Sequence, residues 1–199
     1  MSDPYATRKT LIMRLQNRYD DSAWEEFAKA YSRYIYDIIR RMGISLHDAE
    51  DLVQKIMMRL WNRLPEMDTN ELRRFRSYLS TITKNMVLNF IRDYKLKSER
   101  ENQAATDEAA AYLNSINVAD IYIIAEREWK TQLTNMAIEK LEKKYSGDAM
   151  TILDYTLQGF SIDDIITKTA LSHKQVYNLR TRMKERFTLQ INQLRADLE

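Results

Sequence analysis

Asp48-Ala49-Glu50-Asp51-Leu52-Val53-Gln54, running on to Leu60-Trp61, is the stretch whose reading decides the fold. Ala49, Leu52, Val53, Ile56, Met57, Leu60, Trp61 and Leu64 recur at spacings of three and four. That is an apolar stripe with the period of an α-helix. Ser45 stands at its head with Asp48 three residues on, close to a capping box, and Asp48, Glu50 and Asp51 fall in the turns where the helix dipole favours negative charge. Pro65 ends the helix, because the residue before a proline avoids helical backbone angles.

The same period continues on both sides. Upstream, Trp24, Phe27, Ala28, Tyr31, Ile35, Ile38, Ile39 and Met42 form one stripe. Asp20, Asp21 and Ser22 are N-cap candidates, and Gly43 is the stop. A short helix from Tyr5 to Arg18 is expected before it. Downstream, a loop from Pro65 to Arg74 leads to a third helix carrying Phe75, Tyr78, Leu79, Ile82, Met86 and Phe90 on one side. Three such helices can bury a common core.

The chain has 199 residues with three Gly and two Pro, so breakers are scarce and an all-α chain is expected. The fold class read here is two small helical domains joined by a flexible linker, the second containing a helix-turn-helix. Cys is absent, which removes disulfides and thiolate metal sites. His47 and His173 lie far apart without evident ligand partners, so no metal and no cofactor are expected. No apolar run approaches the roughly 18 residues of a membrane span. Met1 to Arg8 lacks a signal-peptide core, and a cytoplasmic protein without membrane contact is the expectation.

Charge divides the chain. Residues 1–97 hold 18 Lys/Arg against 13 Asp/Glu, residues 98–117 one against four, and residues 118–199 twelve against twelve. The net charge of +2 therefore hides local basic strips of the kind that phosphate backbones attract. The polar, acidic stretch 98–117 reads as a flexible linker with a short helical turn at Ala109 to Leu113. The boundaries that follow are a first domain at 1–97, the linker at 98–117 and a second domain at 118–199. In that second domain a long helix from Val118 to about Tyr145 is broken by Ser146-Gly147, and another covers Ala149 to Leu157.

Three segments carry possible chemistry. Ser161 to Ala170 and His173 to Phe187 read as two helices joined at Leu171-Ser172. The second buries Val176, Leu179, Met183 and Phe187 and shows Lys174, Gln175, Tyr177, Asn178, Thr181, Arg182, Lys184 and Arg186. A helix-turn-helix sets the start of its second helix in the major groove, where polar side chains read base edges while later Lys and Arg grip phosphate. The bland alternative is a solvated basic helix after a tight turn. Residues 73–97 are the second segment: Arg73, Arg74, Arg76, Lys84, Arg92, Lys95 and Lys97 stand against Asp93 alone, interleaved with Phe75, Tyr78, Phe90 and Tyr94. Basic residues beside aromatics hold single-stranded nucleic acid by phosphate contact and stacking. The alternative makes the aromatics core, and this is the favoured reading for Phe75 and Phe90. The third segment is the acidic Asp48–Asp51 turn, which by itself is explained by the helix dipole. No nucleophile–base constellation and no Gly-rich phosphate loop accompanies it, so no enzyme is expected.

Together these segments resemble a bacterial sigma factor of the extracytoplasmic-function (ECF) group of the sigma-70 family. Asp48 to Gln54 followed by Arg59-Leu60-Trp61 resembles that family's core-polymerase-binding helix. Phe75-Arg76-Ser77-Tyr78-Leu79, then Ile82-Thr83-Lys84-Asn85 and Arg92, resemble its −10-element helix, and Gly159-Phe160-Ser161 through Phe187 its −35-element helix-turn-helix. The chain departs from the family pattern at Lys55, Tyr78, Thr83, Lys84, Asn89, Ile166 and Ala170; the last stands where such turns usually have Gly.

The resemblance implies a transcription initiation factor with no catalytic residue, which binds core RNA polymerase and directs promoter recognition and melting. Asp48, Asp51, Leu52, Gln54, Lys55 and Met58 would meet the β′ clamp helices. Arg73, Arg74, Arg76, Tyr78, Lys84, Asn85, Asn89 and Arg92 would meet the melted −10 strand, with a flipped base held by the Pro65–Arg74 loop. Lys174, Gln175, Tyr177, Asn178, Thr181, Arg182 and Lys184 would meet duplex −35 DNA, with the same domain on the polymerase β flap. The acidic linker would run through the RNA-exit region. An anti-sigma factor or another recruiting protein is compatible with such a factor. Two other classes stay open on the residues alone: a helix-turn-helix regulator acting outside the polymerase, and a helical adaptor that binds proteins.

Overall fold

A computed structural model describes residues 11–68, 75–98 and 110–198. Among them every regular element is helical: α1 (Leu11–Arg14), α2 (Asp21–Arg41), α3 (Leu46–Arg63), a 3₁₀ turn at Leu64–Glu66, α4 (Phe75–Ser98), α5 (Ile121–Glu142), α6 (Asp148–Leu157), α7 (Ile162–Thr169) and α8 (His173–Leu198). The all-α expectation holds. The chain divides into two compact units, Met1–Lys130 with Asp197–Glu199, and Thr131–Ala196, and α5 passes from one to the other.

In the first unit, caps set the helix starts that the sequence suggests. The Asp20 side chain accepts from Ala23 N at 2.9 Å, and Ser45 Oγ accepts from Asp48 N at 3.2 Å. Arg14 donates to Asp20 and holds its carboxyl below the ordinary range. The α2 stripe from Ala23 to Ile39 is buried, together with Ala49, Leu52, Ile56 and Leu60 of α3 and Phe75, Leu79, Ile82 and Val87 of α4. Each large apolar side chain so placed contributes about 1.5–3 kcal/mol against exposure. Aromatic rings fill the centre. Tyr31 stacks on Phe27 with centroids 4.7 Å apart and meets Phe75 edge-on at 5.3 Å. The Tyr31 ring also stacks on Trp129 of α5 at 5.5 Å, and Tyr34 meets the same indole at 5.2 Å. Burial pushes the Tyr34 hydroxyl up to about 12, and it donates to Ala125 O at 3.0 Å.

Gly43 ends α2 with φ of 96°. A side chain there would also meet Ser115 O at 2.9 Å, so both backbone angle and close approach require glycine. The approaching segment is residues 110–117, read from sequence as the end of a flexible linker with a helical turn at Ala109 to Leu113; the turn is present. Asn117 N donates to Met42 O at 2.9 Å, residues 110–114 form a helical turn, and Tyr112 meets Tyr94 edge-on at 5.4 Å. The polar composition that suggested mobility concealed one anchoring aromatic. Residues 99–109 of that linker lie outside the described residues, as do residues 1–10, which include the first part of the helix expected from Tyr5 to Arg18.

The second unit has two small cores. Leu141, Ala149, Leu153 and Met183 form one, with Tyr145, Met150, Leu179 and Phe187 against it. Ile152, Ile165 and Val176 form the other, with Phe160, Ile166 and Leu171 among its partly buried neighbours. Ser161 and Asp164 make a full capping box at the start of α7, and donation from Ser161 lowers the Asp164 carboxyl. The last helix is longer than expected. It runs to Leu198 because no breaker follows Phe187, and Gln190, Leu194 and Leu198 carry its buried stripe onward.

Candidate nucleic-acid and partner interfaces

The α3 surface sorts the residues expected to meet a partner. Asp51, Gln54, Lys55 and Met58 are exposed, with Met58 at 68 %. Leu46 and Trp61 add exposed apolar area on the same helix, so it presents acids, one Lys and uncovered hydrophobic side chains together. Leu52, expected to meet a partner, is 2 % exposed and belongs to the core stripe, so it supports the face from below. Asp48 is half-buried and engaged. Its Oδ2 accepts from Ser45 Oγ at 2.7 Å and from the Tyr112 hydroxyl at 3.0 Å, while Tyr112 OH accepts from Ser45 N at 2.9 Å. Burial raises the Tyr112 hydroxyl above its ordinary value, keeping it a donor.

On α4, Asn85, Asn89 and Arg92 are exposed and Tyr78 and Lys84 half-exposed. Phe75 is core, as favoured, and Phe90 is half-buried against Tyr94. Thr83 is fully buried, its hydroxyl donating to Leu79 O at 2.8 Å. Arg73, Arg74 and the Asp68-distal part of the Pro65–Arg74 loop, including any base pocket there, lie outside the described residues. Two basic residues of α4 already have partners on α5. Arg76 Nη1 lies 3.5 Å from Glu126 Oε2, with its guanidinium over the Trp129 ring, and Lys84 Nζ sits 6.0 Å from the Tyr122 centroid. Arg92 lies 3.5 Å from Asp93.

In the second unit α7 and α8 are joined by three residues, Ala170 to Ser172. Ala170 adopts the left-handed conformation at φ 54°, the position where glycine would be unstrained. Lys174, Tyr177, Asn178, Thr181, Arg182 and Lys184 are exposed along α8. Gln175 is exposed but employed: its Oε1 accepts from Ser172 N at 3.0 Å and from Ser172 Oγ at 2.6 Å. The carbonyl end of that amide caps the helix, and only its NH₂ is left to face outward.

Sequence reading missed Tyr112, Tyr122 and Glu126. Tyr122 and Glu126 lie at i and i+4, one position after the buried Ile121 and Ala125, so the helix that carries an anchor stripe also carries this polar edge. Among the described residues no helix is long and apolar enough to cross a membrane, and no cluster of three or more His, Cys, Asp or Glu could hold a metal ion.

Residues 27–96 match the Sigma-70 region 2 family, the span that contains α3 and most of α2 and α4. The chain is similar to the ECF RNA polymerase sigma factor SigW of Bacillus subtilis (strain 168), 27 % identical over 124 residues. That alignment takes in 62 % of this chain and 65 % of that protein's length. No solved structure gives a match.

Proposed function

We propose, for a chain that belongs to the extracytoplasmic-function group of the sigma-70 family, that it binds core RNA polymerase and directs promoter recognition and melting in transcription initiation. The observation that carries the reading is the coincidence of the region 2 match at residues 27–96 with a helix pair whose open sides differ in kind. On α3 the open side is acidic and apolar; on α4 it is basic, amide-bearing and aromatic. The first suits a protein surface and the second suits a melted strand.

In this reading Asp51, Gln54, Lys55 and Met58 dock on the clamp helices of the polymerase β′ subunit, with Asp48 joining once Tyr112 yields it. Tyr78, Asn85, Asn89 and Arg92, with Arg76 and Lys84, take the −10 strand, and stacking of a base on Tyr78 returns part of what unstacking costs. In the second unit the start of α8 lies on −35 duplex through Tyr177 and Asn178, with Lys174, Arg182 and Lys184 on phosphate. That unit also meets the β flap. The two functional domains follow the compact units, Met1–Lys130 and Thr131–Ala196, in place of the boundaries expected at 97 and 118, and the acids of residues 98–109 meet the RNA-exit path. The protein performs no chemistry of its own and acts where the polymerase is, in the cytoplasm. The test is co-elution with core polymerase on gel filtration, with the Asp51→Arg variant alongside. Co-elution of the wild type and its loss in the variant support the reading; two unbound proteins would end it.

A further inference from the structure

The first ten residues of α5 have two faces with different duties. Ile121, Ala125 and Trp129 are 0 %, 3 % and 1 % exposed, a stripe locked into the aromatic core of the first unit. Beside that stripe, Tyr122 and Glu126 stay more than half exposed and lean over α4. The Glu126 carboxylate meets Arg76 at 3.5 Å, the Tyr122 hydroxyl lies 3.4 Å from Thr81 Oγ1, and the Tyr122 ring faces Lys84. A carboxylate on an Arg and an aromatic ring under a Lys are the two kinds of contact a nucleic-acid strand would make with this edge, through phosphate and base.

We propose that Tyr122 and Glu126 are an internal competitor for single-stranded nucleic acid at the Arg76–Thr81–Lys84 edge of α4. The inference rests on the proposed strand-binding role of α4. The buried stripe keeps α5 in place, so admission of a strand needs only the two exposed side chains to rotate away, not the helix to leave. Both contacts are individually weak, because exposed ion pairs and exposed cation–π pairs are worth little in water. Weakness is what the role requires. A strand that brings several phosphates displaces them, while a chance encounter with a single anion does not. The free chain is thereby kept from loose binding to nucleic acid.

The experiment is a fluorescence-anisotropy titration of the full chain with labelled oligothymidylate over a salt series. The variants are Glu126→Gln, Tyr122→Ala, Arg76→Ala with Lys84→Ala, and the combination of Glu126→Gln with those two. Glu142→Gln, a change of equal charge on an exposed residue farther along α5, is the control for net charge. Melting temperatures establish that each variant folds. The expected result is affinity tightened severalfold, on the order of fivefold, by Glu126→Gln and by Tyr122→Ala, the gain of Glu126→Gln shrinking as salt rises. Glu142→Gln should give little of it, and the gain should vanish when Arg76 and Lys84 are absent. Equal affinity of Glu126→Gln, Tyr122→Ala and wild type, with Arg76→Ala and Lys84→Ala still weakening binding, would overturn the competitor and leave the strand-binding edge standing. If removing Arg76 and Lys84 changes nothing either, the edge itself is misassigned and the competitor falls with it. A gain that persists without those two residues, or that Glu142→Gln reproduces in full, would also overturn it.

Discussion

The Trp61 indole packs on the Trp24 indole with ring centroids 4.3 Å apart and planes 43° to each other. Trp24 is 7 % exposed and Trp61 43 %, so Trp61 is the lid on a core residue as well as part of the open α3 surface. The residue that ends the most recognisable stretch of this sequence therefore joins docking face and core. Trp61→Ala should cost about 2 kcal/mol of stability, less than a fully buried Trp→Ala because much of the ring already meets water. Trp61→Phe should recover most of it. Chemical denaturation of the three proteins checks this; an unchanged midpoint for Trp61→Ala would mean the ring pair carries no packing energy.

Asp51 shows the opposite pattern. It is exposed on α3 with no structural duty that the fold depends on. Asp51→Arg should leave the unfolding transition close to that of wild type and weaken core-polymerase affinity at least tenfold, since a like charge at a docking face costs more than the lost attraction. Surface plasmon resonance on immobilised core polymerase reads it. Undiminished affinity would take Asp51 out of the interface.

Asn85→Ala and Tyr78→Ala should slow open-complex formation on duplex promoter more than on a pre-melted bubble. Stacking on an aromatic is worth about 1–3 kcal/mol per base, a rate effect on the order of tenfold or more on the duplex. Permanganate footprinting follows the melted thymines. If both variants melt duplex promoter normally, α4 is not the melting helix.

Much of this was legible beforehand, and the exceptions share a cause. The helices α2, α3 and α6 begin within a residue or two of their sequence signals, because Asp20 and Ser45 cap locally and the stripes are strong. The helix α8 overran its expected end because its later buried positions include Gln190, which does not read as apolar. Leu52 shows that a motif can be recognised as a block while its members face opposite ways. What no local pattern could reveal was pairing across distance: Tyr112 on Asp48, Glu126 on Arg76 and Tyr122 on Lys84 are separated by 64, 50 and 38 positions, and side chains that far apart leave no periodic trace.

Ala170 offers a test of the second unit by itself. It holds the left-handed conformation at the end of α7, where a Cβ crowds the following carbonyl. Ala170→Gly should stabilise by about 0.5–1 kcal/mol, the relief of strain exceeding the extra freedom glycine gives the unfolded chain. Thermal unfolding measures it. A lower melting temperature would show that the turn is not strained there.

Whether this chain directs polymerase to start sites is read without intermediaries by transcription in a purified system. Core polymerase is supplied with a pool of fragments from the source genome, with and without the chain, and the 5′ ends of the transcripts are mapped. A limited set of defined start sites should appear only when the chain is present, and the combined Tyr78→Ala and Asn85→Ala variant should reduce it. No chain-dependent start site, from core polymerase that a known sigma factor activates in the same reaction, would contradict that role.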